Sequence, residues 1–158
     1  VPVDAGIAGD PHNWEYDIAV KKIYSDEYIT SLLMTTYQYT GGAHGSSSRI
    51  GLVVDNKTGK FLTLKDFYNT QKLVRKLSPV WQLQIRAKLA TALGQPLTPT
   101  DKEWIRQGTL AREQYESFVL TKTSLIVYGQ DYQHAAHAYG TFTLVYPRKA
   151  LGSIEVQK

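Results

Sequence analysis

Apolar and polar residues alternate at the start of the chain. Trp14, Tyr16, Ile18 and Val20 are interleaved with Glu15, Asp17, Ala19 and Lys21, and this period of two predicts a strand with one buried face over residues 14–24. The polar break Ser25-Asp26-Glu27 separates it from residues 28–40, rich in Thr, Tyr, Ile and Leu, which predict a second strand closing an antiparallel hairpin. Ile50, Leu52 and Val54 share one face of a third strand. It ends at Asp55-Asn56-Lys57-Thr58-Gly59, where Gly59 can take the positive φ of a turn, and residues 61–64 form a short returning strand.

Helix signals begin at Thr63, whose hydroxyl can cap backbone N–H groups while Asp66 favours the positive end of a helix. Leu73, Val74 and Leu77 then fall on one face. Ser78-Pro79 is a second start signal, and it predicts a separate helix carrying Trp81, Ile85, Leu89 and Leu93 at i, i+4 spacing up to Gly94. That helix would be about 22 Å long. Thr98-Pro99 opens a shorter one through Trp104 and Ile105 to Gly108. Strands return over residues 115–120, 125–128 and 141–146, the last stopped by Pro147. Strands, then helices, then strands predict an α+β fold: a mostly antiparallel sheet with helices packed on one face, in a single domain over residues 1–158.

Composition narrows the chemistry. The chain has 158 residues, 42% of them apolar, and no cysteine, which excludes thiolate zinc sites, iron–sulfur clusters, thiol nucleophiles and disulfide scaffolds. No run approaches the roughly 18 consecutive apolar residues of a membrane-spanning helix. The start at Val1-Pro2-Val3-Asp4, with neither an initiating Met nor a leader pattern, suggests a mature or trimmed exported protein, any signal peptide having been removed or left out of this sequence. The net charge is +4. It is uneven: no acidic residue lies between Asp66 and Asp101, an interval holding Lys72, Arg75, Lys76, Arg86 and Lys88. Two basic helices would present a positive face, either as solvated surface or to an anionic partner such as an envelope polymer. Nucleic acid is not expected, because no recognised binding motif accompanies the charge.

Candidate chemistry concentrates in two segments. In Tyr39-Thr40-Gly41-Gly42-Ala43-His44-Gly45 three glycines in five residues free the backbone for positive φ and close approach. His44 there either meets a ligand or braces the loop. The second segment, residues 132–140, holds His134, His137 and Tyr139. Three imidazoles from His44, His134 and His137 could ligate zinc, but no H-E-x-x-H element supplies the general base of a hydrolytic site, and no metal or other cofactor is expected. Neither a G-x-S-x-G elbow nor a singular carboxylate pair stands out, so no catalytic residue is assigned.

The glycine–histidine motif, the Asp55-Asn56-Lys57-Thr58-Gly59-Lys60 turn, the run Leu62-Thr63-Leu64-Lys65-Asp66-Phe67-Tyr68, and Tyr132 to Gly140 followed by Leu144-Val145-Tyr146-Pro147 occur in a distinctive order. With them the chain resembles the RsiV-like extracytoplasmic domain, domain of unknown function 3298, over residues 14–151. The resemblance implies an exported α+β binding module, as found in lysozyme-sensing anti-sigma factors, beside polysaccharide deacetylase domains and in a secreted mycobacterial antigen. The expected function is a non-catalytic binding or sensor domain of the bacterial cell envelope, periplasmic, secreted or lipid-anchored. Its ligand would be a cell-wall polymer or a lysozyme-like protein. Charge disfavours lysozyme, since two basic proteins repel unless a local acidic patch compensates. The expected contacts are Tyr39, Gly41, Gly42, His44, Gly45, His134, His137 and Tyr139. The alternative is a cell-wall glycan hydrolase or deacetylase accessory domain working through its histidines.

Overall fold

The computed structural model describes residues 14–155. Strands β1 (Glu15–Ser25), β2 (Ile29–Tyr39) and β3 (Ser46–Asp55) form an antiparallel meander, and β4 (Phe61–Leu62) joins it in the order β1-β2-β3-β4. Local side chains close its turns. Asp26 Oδ1 accepts from the backbone N–H groups of Tyr28 and Ile29, each at 2.8 Å, and Asp55 Oδ1 accepts from those of Lys57 and Thr58 before Gly59 turns at φ 71°. Helices α1 (Thr70–Leu93) and α2 (Pro99–Gln107) follow, then a second antiparallel sheet of β5 (Phe118–Leu120), β6 (Ser124–Tyr128) and β7 (Thr143–Pro147). The fold is α+β with antiparallel sheets.

The core lies where α1, the second sheet and one face of β2 and β3 meet. Leu73, Leu77, Trp81, Ile85 and Leu89 are fully buried along α1, against Tyr115, Phe118, Leu120, Leu125, Val127 and Leu144. Ser31 of β2 welds the two sheets: its Oγ donates to the Leu120 carbonyl at 2.6 Å and accepts from the Leu120 N–H at 3.2 Å. Beside it, Gly51 sits so close to the Phe118 backbone that no Cβ would fit. Helix α2 starts at the expected Thr98-Pro99 signal, and Thr98 and Asp101 cap it reciprocally.

Two expectations are corrected. Ser78-Pro79 does not start a helix; α1 runs through it for 24 residues from an Asn69 cap, whose Oδ1 accepts from the Lys72 N–H at 3.1 Å. Ser78 is buried and donates to Thr109 Oγ1 instead of capping, and packing of the apolar stripe on both sides of Pro79 outweighs the missing N–H donor. The five cations of the acid-free interval therefore line one helix, not two. Secondly, β1 has no buried face. Tyr16, Ile18 and Val20 are 63%, 56% and 60% exposed, because they lie on the face of the sheet turned away from the second layer, which itself reaches β2 and β3 and stops short of β1. Ile50, Leu52 and Val54 share a face of β3 as expected, and the core takes the other one, through Gly51 and Val53. Pairing sets Val20, Met34 and Ile50 in one row across β1, β2 and β3, and Val54 beside Phe61, so the outward face of this sheet carries an apolar stripe, flanked by Thr36, Gln38, Ser46 and Ser48. Two strands are also shorter than expected: Leu64 enters a 3-10 turn over Leu64–Asp66, and Arg112–Tyr115 form another before β5.

Candidate functional site

The glycine–histidine loop joins β2 to β3. Gly41 and Gly42 turn it at φ 92° and 103°, a region that L side chains enter at a cost. The Tyr39 hydroxyl donates to the Gly42 carbonyl at 3.1 Å, and the Tyr37 ring lies against Gly45 where any Cβ would collide with it. Between these two contacts His44 is exposed. Its Nδ1 donates to the Gly45 carbonyl at 2.9 Å, which leaves Nε2 as an acceptor, and the Tyr132 hydroxyl lies 3.4 Å from that nitrogen.

Opposite stands the segment after β6. Tyr132 takes φ 58°, the one non-glycine positive φ among the described residues. Its flanks hold it there: Gln133 Oε1 accepts from the Gln130 N–H at 2.8 Å, Trp104 Nε1 donates to the Tyr132 carbonyl at 2.9 Å, and Gln133 Nε2 donates to the Gly108 carbonyl at 2.8 Å. Strain of about 1–2 kcal/mol survives only where neighbours over-determine the backbone in this way. The half-exposed Tyr132 ring stacks on His137 with centroids 5.7 Å apart, and His137 stacks on His44 at 4.1 Å and 10°. Asp131 Oδ2 accepts from His137 Nδ1 at 2.9 Å and lies 3.5 Å from the Ser47 N–H. This orients the imidazole and directs His137 Nε2 away from the carboxylate. The result is a surface stack of one phenol and two imidazoles, braced by a carboxylate.

The structure thus brings His44 and His137 together and takes His134 away from them. His134 is 1% exposed, edge-on to Trp81 at 4.5 Å and to Phe142 at 5.9 Å, and held between Gly108 and Gly129, which approach too closely to bear side chains. Neither of its nitrogens has a hydrogen-bond partner among the described residues. Burial lowers its pKa to about 4, against a weak opposing pull from the Gly108 carbonyl, so it is a neutral core residue near pH 7. Without it the three-imidazole constellation is not assembled. The stacked rings of His44 and His137 also lie face to face, so their nitrogens do not converge on one point. Tyr139 lines a separate shallow groove with Lys88, Leu89 and Ala92 of α1. Asp131 and Tyr132 escaped the sequence reading of the site. Their one local signal is a Gly-x-Asp turn, Gly129-Gln130-Asp131, six residues ahead of His137.

Fold and surface together define a small α+β domain of two antiparallel sheets with a braced imidazole–aromatic cluster on its connecting loops. Residues 58–149 match the profile of DUF3298, a family described as protein of unknown function, and the chain belongs to that family. Residues 4–47 match a second profile, described as deacetylase PdaC. Among solved structures, a DUF3298 member from Bacteroides fragilis shares the fold at a TM-score of 0.70 and 19% identity, over 94% of this chain and 57% of its own. A DUF3298 protein from Pseudomonas aeruginosa does so at a TM-score of 0.65 and 23% identity, over 90% of this chain and 62% of its own. The chain therefore spans less than two thirds of either relative. No curated protein matches it. Among the described residues, no helix is long and apolar enough to cross a membrane.

Proposed function

We propose that this chain is a non-catalytic, extracytoplasmic binding or sensor domain of the bacterial cell envelope, with the Tyr132–His137–His44 stack as its contact surface and cell-wall glycan as its ligand. One observation carries the reading: a strained backbone is spent on holding an exposed aromatic ring over two stacked imidazoles. An exposed ring face suits the C–H face of a sugar, while His137 Nε2 and Asp131 supply directional hydrogen bonds to hydroxyl or amide groups. The orienting Asp131–His137 pair also occurs in acid–base catalysis, but no hydroxyl of the described residues is hydrogen-bonded to His137 Nε2 to act as nucleophile. Binding to soluble peptidoglycan fragments, measured by calorimetry, should weaken at least roughly tenfold in His137→Ala and Tyr132→Gly. Unchanged affinity in both would remove the stack as the contact surface, and tight binding of lysozyme with no affinity for glycan would replace the ligand.

The match of residues 4–47 to the deacetylase PdaC profile favours a second reading, an accessory domain that presents glycan to a deacetylase. Deacetylation of peptidoglycan by the chain itself, abolished by His137→Ala, would make it an enzyme and overturn the binding-only view.

A further inference from the structure

Strand β1 is unusual in what it leaves unpaired. Among the described residues it is the outer strand of its sheet, bonded to β2 alone, so alternate backbone N–H and C=O groups along its 11 residues point away from the sheet. Such an edge is a template for another strand unless a bulge, a proline or scattered charge blunts it. Here the one irregularity falls between Lys22 and Tyr24, which leaves residues 15–22 regular. The charges are not scattered either. Glu15 and Asp17 occupy the first half, Lys21 and Lys22 the second, and none of the four has an ion-pair partner among the described residues. A strand that is acidic at one end and basic at the other is complementary to itself when antiparallel.

We infer that β1 pairs with β1 of a second copy, antiparallel, about a two-fold axis perpendicular to the sheet and midway between the two copies' Ala19. That axis keeps each face on its own side and sets Asp17 opposite the second copy's Lys21, and Lys21 opposite the second copy's Asp17. On the outward face Ile18 meets the second copy's Val20 and is met by it in return, so side chains more than half exposed gain apolar neighbours. Moving the axis to Asp17 or to Lys21 would set like charges opposite each other. The axis at Ala19 alone pairs Asp17 with Lys21. The product is an eight-stranded sheet in which the apolar patches of the two outward faces, around Ile18 and Val20, become neighbours.

The test is analytical ultracentrifugation of the 158-residue chain over a concentration series, with folding of each variant checked by circular dichroism. The parent should dimerise reversibly. Lys21→Asp and Asp17→Lys should each weaken the dimer roughly tenfold, because each breaks two symmetry-related pairs, and the double exchange should restore it. Because the chain has no cysteine, Ala19→Cys should cross-link two copies on oxidation while Glu15→Cys should not. A chain monomeric at every concentration would overturn the inference. So would a dimer indifferent to charge exchange and broken by Phe61→Lys, since that result puts the contact on the apolar face rather than on the edge.

Discussion

Tyr132 and His134 stand two residues apart and show opposite fates for ring side chains on one loop. Tyr132 is displayed by a backbone conformation that its own Cβ disfavours. Tyr132→Gly should therefore hold the unfolding free energy within about 1 kcal/mol of the parent, whereas Tyr132→Val, β-branched at the same positive φ, should lose about 1–2 kcal/mol. Urea unfolding of the two variants checks this, and equal losses would show that no strain resides at the position. His134 is buried neutral, with its pKa lowered from 6.5 to about 4. Between those values the unfolded chain binds a proton that the folded chain refuses. Stability from this residue is thus complete above about pH 6.5, falls as the pH drops toward 4, and changes no further below it. The loss amounts to about 3 kcal/mol, on the order of 1.4 kcal/mol per pH unit. Unfolding curves from pH 7 to 4 should show it, and in His134→Phe that part of the pH dependence should vanish.

At the scale of elements, α1 shows packing overriding a local stop signal. Pro79 withholds one intrahelical hydrogen bond and crowds the carbonyl four residues before it, yet Leu73, Leu77, Trp81, Ile85 and Leu89 stay on one buried stripe across it. Pro79 itself is exposed, so nothing in the core requires its ring. Pro79→Ala should raise the unfolding free energy by about 1 kcal/mol or more, since it restores the donor without disturbing a contact. Thermal unfolding reads this as a higher midpoint. A lower midpoint would mean that the proline shapes the axis of α1 to suit the second sheet. The same element carries the basic stretch from Lys72 to Lys88, which is a property of one helix surface and not of two.

For the whole molecule, the junction between the sheets matters most. Ser31 and Gly51 are a small polar residue and no side chain at all, placed where the backbones of β2 and β3 meet β5. A methyl group at Gly51 would lie within 2.7 Å of the Phe118 N atom, a backbone atom that cannot swing aside. Gly51→Ala should cost about 1–3 kcal/mol through forced separation of the sheets, and amide exchange should show β5 losing protection first. Retention of parent stability would mean that the layers slide freely there. This junction also explains the one-sided burial of the first sheet: the second layer reaches β2 and β3 through it and goes no further, which leaves β1 and the outward apolar face uncovered.

What the sequence determined by itself is the set of local devices. The strand–helix–strand order, the Thr98-Pro99 start of α2, the Gly59 turn and the helical stripe around Trp81 each depend on backbone geometry within a few residues, and all are legible without the fold. His44 and His137 were legible as chemistry, and Gly41 and Gly42 as a turn. Tertiary structure alone decided which face of each strand is covered, because alternation in Trp14 to Val20 says that two faces differ and nothing about what lies beyond them. It alone separated His134 from His137, three residues away, by sending one ring under α1 and the other onto the surface. It alone joined Tyr132 to His44, 88 positions earlier, and Asp131 to the Ser47 N–H, through loops whose approach depends on the register of two different sheets.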